Sequence, residues 1–196
     1  MKLLAALALL FSVPAGLPFE PWFSQRGVAV EIARPGRGIP WVRGTAELPA
    51  SAQRVAAVLL DFDHYREIFS PAIRKAHILG REGSALRIHM VWPYPFPLRN
   101  RDAVIGYRWE EPAEGGVLLT WSSDARTGDP RSGVRIARVA GEARVEPLGP
   151  ERSRVTYTFL GDLGGQFPAS ALEKAWRAEP VQYVRAIRRR LRIPDP

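Results

Sequence analysis

From residue 28 onward the chain alternates apolar and polar positions in short bursts, parted by glycine- and proline-rich turns. That is the period-two signature of half-buried strands. Val28 to Ala33 predicts a strand ending at the Arg34-Pro35-Gly36-Arg37-Gly38 turn, and Trp41 to Leu48 a second, stopped by Pro49. The period then changes. Val55, Val58, Leu59 and Phe62 fall on one helical face, with Ser51 placed to cap the helix just after Pro49. Alternation returns at Leu86, Ile88, Met90 and Trp92, whose intervening residues are Arg87, His89 and Val91; on this phase His89 points to solvent. Ala103, Ile105, Tyr107 and Trp109 repeat the pattern, as do Val117, Leu119 and Trp121 after the Glu114-Gly115-Gly116 turn. Val134 to Val145 and Val155 to Leu160 predict two more strands, and Pro168 to Arg192 a closing helix.

The order is therefore two strands, a helix, about five antiparallel strands in meander and a C-terminal helix. Hairpin-length turns favour an antiparallel sheet over βαβ units, so the predicted class is α+β. At 46% apolar and 24% charged residues over 196, the chain has the balance of one self-supporting domain.

Ahead of that domain, Met1-Lys2 precedes an apolar run from Leu3 to Phe11, then small residues near Ala15. About ten apolar residues are too few to cross a bilayer, which needs ~20. The pattern is that of a secretory signal peptide over residues 1–17, leaving 18–196 as the folded domain of a periplasmic or secreted protein.

Cysteine is absent, which excludes disulfide scaffolds, thiolate metal sites and cysteine nucleophiles. Three histidines, His64, His77 and His89, are too scattered for a metal cluster. No Gly-x-Ser-x-Gly elbow, phosphate loop or dinucleotide fingerprint occurs, so no catalytic residue, metal or cofactor is assigned. Asp61, Asp63 and His64 read as a solvated helix end rather than a metal site. The net charge of +8 calls for an anionic partner, and an anionic membrane surface fits export better than nucleic acid, for which no reading motif is present.

The run Trp92-Pro93-Tyr94-Pro95-Phe96-Pro97 sets three aromatic rings between three prolines at a strand end. Proline removes ladder donors and fixes φ, so the segment leaves the sheet as a stiff arm. Continued through Arg101-Asp102, it resembles the Trp-Pro-x-Pro…Arg-Asp signature of StAR-related lipid-transfer (START) domains in their bacterial form. The segment from Val55 to Tyr65 is similar to that family's first helix. Gly164-Gly165-Gln166-Phe167-Pro168 and Pro180-Val181-Gln182-Tyr183-Val184 are similar to its closing helix. The resemblance spans roughly residues 40 to 192.

The resemblance implies a helix-grip fold, a curved antiparallel sheet wrapped around a long C-terminal helix with an apolar cavity between them. It implies a monomeric, non-catalytic carrier of a lipid, with sterols among the candidates. The residues expected to meet the ligand are Trp92, Tyr94, Phe96, Arg101, Asp102, Tyr107, Trp109, Trp121, Tyr157, Phe159, Trp176 and Tyr183. A polyketide cyclase or aromatase of the same superfamily is the alternative, with Arg101, Asp102 and Tyr107 as the available acid–base groups. Arg101-Asp102 is otherwise read as a structural or mouth-level ion pair. Some sterol carriers of the family place a buried arginine where Tyr107 stands, which weakens a sterol ligand here.

On the closing helix, Leu172, Trp176, Tyr183, Ile187 and Leu191 fall near one face. Lys174, Arg177, Arg185, Arg188, Arg189, Arg190 and Arg192 take mainly the rest, as a solvated face. Pro180 predicts a kink or break at Ala178 to Pro180, serving as a hinge or as a fixed bend.

Overall fold

The computed structural model describes residues 13–36, 38–94, 96–136, 138–164 and 169–196. Most of the expected signal segment, residues 1–12, lies outside them. Ten strands form one sheet: β1 (Glu20–Gln25), β2 (Val28–Ala33), β3 (Trp41–Leu48), β4 (Lys75–Glu82), β5 (Ala85–Trp92), β6 (Arg101–Glu110), β7 (Val117–Ser123), β8 (Val134–Arg135), β9 (Val139–Gly149) and β10 (Arg152–Gly161). The order across the sheet is β1-β2-β3-β10-β9-β7-β6-β5-β4, antiparallel throughout, while β8 adds two parallel pairs to β6. Two short helices, α1 (Ala52–Leu60) and α2 (Tyr65–Ile68), link β3 to β4, and the long α3 (Ala169–Leu191) closes the chain. A large antiparallel sheet gripping a C-terminal helix is the expected helix-grip fold.

β2 and β3 have the expected bounds. The Ser51 hydroxyl caps α1, accepting from the Arg54 N–H at 3.4 Å, and Val55, Val58, Leu59 and Phe62 are buried. Two other expectations change. Val134 to Val145 is not one strand: Ile136 donates its N–H to the Asp102 carbonyl beside β6, and the chain then crosses to start β9. α3 is not broken at Pro180 but runs continuously from Ala169 to Leu191. Pro180 lacks the N–H that would reach the Trp176 carbonyl. Its ring is seated against β3 at Gly44, where a Cβ would collide with it. Missing side-chain bulk on the sheet is what lets the helix lie down at its proline.

The sheet's inner face carries the core. Tyr107, Trp121, Gly141 and Phe159 stand in register across β6, β7, β9 and β10. Gly141 is the gap in that row. A Cβ there would meet the Thr158 carbonyl and the Trp121 ring, so its absence lets the indole tilt across to Tyr157, centroids 5.4 Å apart.

Candidate functional site

Between this face and α3 lies a cavity of about 580 Å³, within the range of small-molecule sites. Met90, Ile105, Tyr107, Trp121, Tyr157 and Phe159 form the sheet wall. Trp176, Glu179, Gln182 and Tyr183 face them from α3, and Tyr65 and Phe69 of the α2 region close one end. The rings hold one another in a continuous chain. Phe69 stacks on Tyr183 at 5.2 Å, Tyr183 on Tyr157 at 3.9 Å, and Tyr157 on Phe159 at 5.5 Å. A wall of interlocked rings resists collapse into the space it encloses, because each ring must leave a stacked partner to move.

Of the twelve expected ligand contacts, eight line the cavity: Trp92, Tyr94, Tyr107, Trp121, Tyr157, Phe159, Trp176 and Tyr183. Four do not. Phe96 is 97% exposed, because the arm that folds Trp92 and Tyr94 inward turns away at its tip. Trp109 lies beyond the cavity, packed on Phe62 at 5.7 Å.

Arg101 and Asp102 leave β6 on opposite faces and take different partners. The Arg101 guanidinium donates to the carbonyls of Leu163 (3.0 Å), Gly164 (3.2 Å) and Arg99. It thus braces the segment between β10 and α3. Asp102 is fully buried on the outer face and accepts from Arg135 (2.9 Å) and the Ser132 N–H (3.2 Å). His89 Nε2 also lies 2.9 Å from Asp102 Oδ2. The expectation of a solvent-facing His89 is therefore corrected: it is on the outer face, as its phase requires, but fully buried there. The expected Arg101–Asp102 pair is corrected too, since successive strand residues point to opposite faces.

The outer face has its own concavity, an open groove of about 910 Å³. Among its lining residues are Arg87, Arg108, Arg126 and Arg138. Arg87 is engaged by Asp124 (2.9 Å) and Asp129 (2.7 Å), and Arg126 by Asp124 (3.1 Å).

Sequence reasoning missed Glu179. Its carboxyl accepts from the Tyr157 hydroxyl at 3.1 Å inside the aromatic cavity. Desolvation raises its pKa above the ordinary carboxylate value, and the Tyr157 hydrogen bond offsets part of the rise. Burial likewise lifts the Tyr107, Tyr157 and Tyr183 phenols. The Tyr107 hydroxyl donates to Met90 Sδ at 3.7 Å. The available signal was helical phase: Glu179 follows Trp176 by three residues and precedes Tyr183 by four, which puts it on their face.

The expected solvated face of α3 is in large part engaged. Arg188 is 4% exposed and donates to the Arg26 carbonyl at 2.7 Å. Arg185 pairs with Asp195 (2.7 Å) and Arg190 with Asp61 (3.1 Å). Arg189 donates to the carbonyls of Ile68 (3.1 Å) and Ser70 (2.9 Å).

The chain is 24% identical over 174 residues to an uncharacterized protein of Pseudomonas aeruginosa, covering 86% of each. In fold it is similar to a STAR-related lipid transfer protein of Xanthomonas axonopodis (TM-score 0.78, 23% identity, 89% of this chain and 98% of that one). It is also similar to the lipid transfer and protein localization domain of human StarD13 (TM-score 0.76, 19% identity, 88% of each). The Zhui aromatase/cyclase of Streptomyces sp. R1128 shares the fold at a TM-score of 0.57 and 18% identity, over 76% of this chain and 92% of that one. Residues 41–192, nearly all of the folded domain from β3 to the end of α3, match the polyketide cyclase / dehydrase and lipid transport family, and the chain belongs to that family.

Proposed function

We propose that the chain is a non-catalytic carrier that takes one hydrophobic small molecule into the cavity between sheet and α3. The supporting observation is the cavity itself, about 580 Å³ walled by stacked aromatic rings that leave it unfilled. Each methylene buried there contributes about 0.8 kcal/mol, so a lipid chain binds without a specific polar contact. In this reading residues 1–17 direct export, and the mature monomer works in the periplasm. Val13 and Leu17 pack near the Ala33, Trp41 and Leu160 patch, so the processing point decides whether that patch stays covered. The exposed Phe96 stands on the arm whose Trp92 and Tyr94 line the cavity, where it can touch a bilayer surface during transfer.

Native mass spectrometry of protein purified from the periplasmic fraction tests the carrier. A near-stoichiometric apolar molecule, on a chain lacking its first residues, is the expected result. An empty protein that also takes up no fluorescent lipid or sterol overturns it.

The cyclase reading retains one favourable observation, the hydrogen-bonded Glu179–Tyr157 pair beside the cavity. Arg101 and Asp102 are not available to it. Turnover of an aromatic polyketide that is abolished by Glu179→Gln would favour the enzyme over the carrier.

A further inference from the structure

Lipid storage alone gives Glu179 no task. Its carboxyl projects from α3 into an aromatic space, with one oxygen held by the Tyr157 hydroxyl. No ion pair neutralises it among the described residues. Two arginines also line the cavity, but Arg185 is turned to Asp195 and Arg189 to the carbonyls of Ile68 and Ser70. A carboxyl in such a setting takes up either a proton or a cation. The rings favour the cation. Tyr94, Tyr107 and Trp176 line the same space beside the stacked Tyr157 and Tyr183, and aromatic π systems attract positive charge.

We infer that Glu179 receives the cationic nitrogen of an amphiphile, an alkylammonium whose N–H groups donate to the second carboxyl oxygen while its apolar body fills the cavity. This rests on reading the cavity as a ligand site. An alcohol of the same chain length can donate one O–H to the carboxyl but brings no charge to pair with it. A fatty carboxylate meets a like charge. The cavity therefore selects by head group, with affinity from the chain and choice from Glu179.

Calorimetric titration of the delipidated protein with dodecylamine, dodecanol and dodecanoate, each below its aggregation threshold, tests the inference. The amine is expected to bind more tightly than the alcohol on the order of tenfold, the gain of an ion pair over a single O–H donor, with dodecanoate weakest. Glu179→Gln, which keeps shape and removes charge, is expected to erase the gap, chiefly by weakening the amine. A second measurement needs no variant. On acidification the amine's affinity for the unaltered protein falls as Glu179 takes up a proton, by more than dodecanol's does. The other titratable groups facing the carboxyl are the phenols of Tyr94, Tyr107, Tyr157 and Tyr183, all held above the ordinary phenol value and so neutral throughout.

Dodecanol binding as tightly as the amine overturns the assignment of Glu179. So does an amine affinity that neither acidification nor a folded Glu179→Gln protein alters. Failure of all three amphiphiles to bind overturns the cavity reading along with it.

Discussion

Gly44→Ala separates the grip of α3 on the sheet from ordinary strand propensity. Gly44 lies mid-strand in β3, paired with Tyr157 and Val30, and a Cβ there would fall well inside contact of Pro180 Cβ. Carbon atoms rest at about 3.5–4.0 Å, so α3 must back off by on the order of an ångström. Overpacking of that kind costs about 1–3 kcal/mol. Alanine recovers about 0.5–1 kcal/mol of backbone entropy that glycine loses in a strand. The net expectation is a loss of about 1–2 kcal/mol, or a fall in Tm of roughly 2–8 °C for a chain of this size. Gly80 on β4 is the internal control. A Cβ there meets nothing within 4 Å, so Gly80→Ala keeps only the entropy gain and raises Tm slightly. Thermal unfolding by circular dichroism measures both, and hydrogen exchange shows whether lost protection concentrates in α3 around Pro180. Equal shifts for the two variants, or a Tm that rises with Gly44→Ala, would refute the claim that this contact seats the helix.

The buried outer-face cluster predicts that Asp102→Ala costs about 3–5 kcal/mol, since it leaves Arg135 and His89 without their shared carboxylate. A urea midpoint shift worth under about 1 kcal/mol would reduce the cluster to decoration. Trp176→Lys sets a charge in the cavity wall of a half-buried residue, and it should cut fluorescent-lipid uptake by at least about tenfold with little change in Tm. Unaltered uptake would place the ligand elsewhere. The His64–Asp61 contact at 2.6 Å makes stability pH-dependent at one helix end. Its hydrogen bond to Asp61 raises the His64 pKa above 6.5, so that contribution is complete below 6.5 and is lost as pH rises through the folded value. Asp61 moves the other way. Partial burial works to raise its pKa, but hydrogen bonds from His64 and Arg190 hold it below 3.8, so its share is lost only as acid titrates the folded carboxyl. The Tm difference between the protein and His64→Ala should therefore shrink above neutral pH; a difference independent of pH would count against the contact.

What the chain disclosed about itself follows from what periodicity can carry. β2, β3 and the buried face of α1 were legible because each depends only on the phase of its own side chains. β1 was not, since its only half-buried residues, Trp22 and Phe23, are adjacent rather than alternating, and the pairing with β2 slips there. The run after Val134 alternates in two phases, Val134 and Ile136 on one and Val139, Ala143 and Val145 on the other; the slip marks where the pairing partner changes from β6 to β7 and β10, but alternation is blind to which partners those are. His89 marks the same boundary. Its outward phase was legible, but the Ser132–Arg135 segment that covers it arrives from more than forty residues away. Of the eight cavity residues found, Trp92, Tyr107, Trp121, Tyr157 and Phe159 share the inner phase of strands, where aromatic rings have few other places to go, and Trp176 and Tyr183 share the helix face turned to them. Glu179 was hidden because an acid in a charged helix is usually solvated; only its spacing from Trp176 and Tyr183 distinguished it.

The basic surplus of the chain also takes on a different meaning once its partners are known. A row of arginines on a closing helix invites comparison with membrane-binding faces, which gain about 1 kcal/mol per cation near an anionic surface. Here the same side chains hold the helix in place. Arg189 ties α3 to the segment after α2, Arg188 ties it to the β1–β2 turn, and Arg190 to the end of α1. Arg177 lies over the rings of Trp22 (4.7 Å) and Phe23 (4.2 Å) of β1. Each contact would have to be given up before that cation could serve a bilayer, and releasing several together would loosen the wall of the cavity. The charge of α3 and the integrity of the cavity are therefore coupled. A bilayer that competed for these arginines would draw the helix off the sheet and open the space beneath it, whereas one that engaged only Phe96 and the arm would leave the cavity closed. Salt dependence separates the two routes: transfer that slows steeply with ionic strength requires the arginines to be surrendered, and transfer indifferent to salt assigns the contact to the apolar tip.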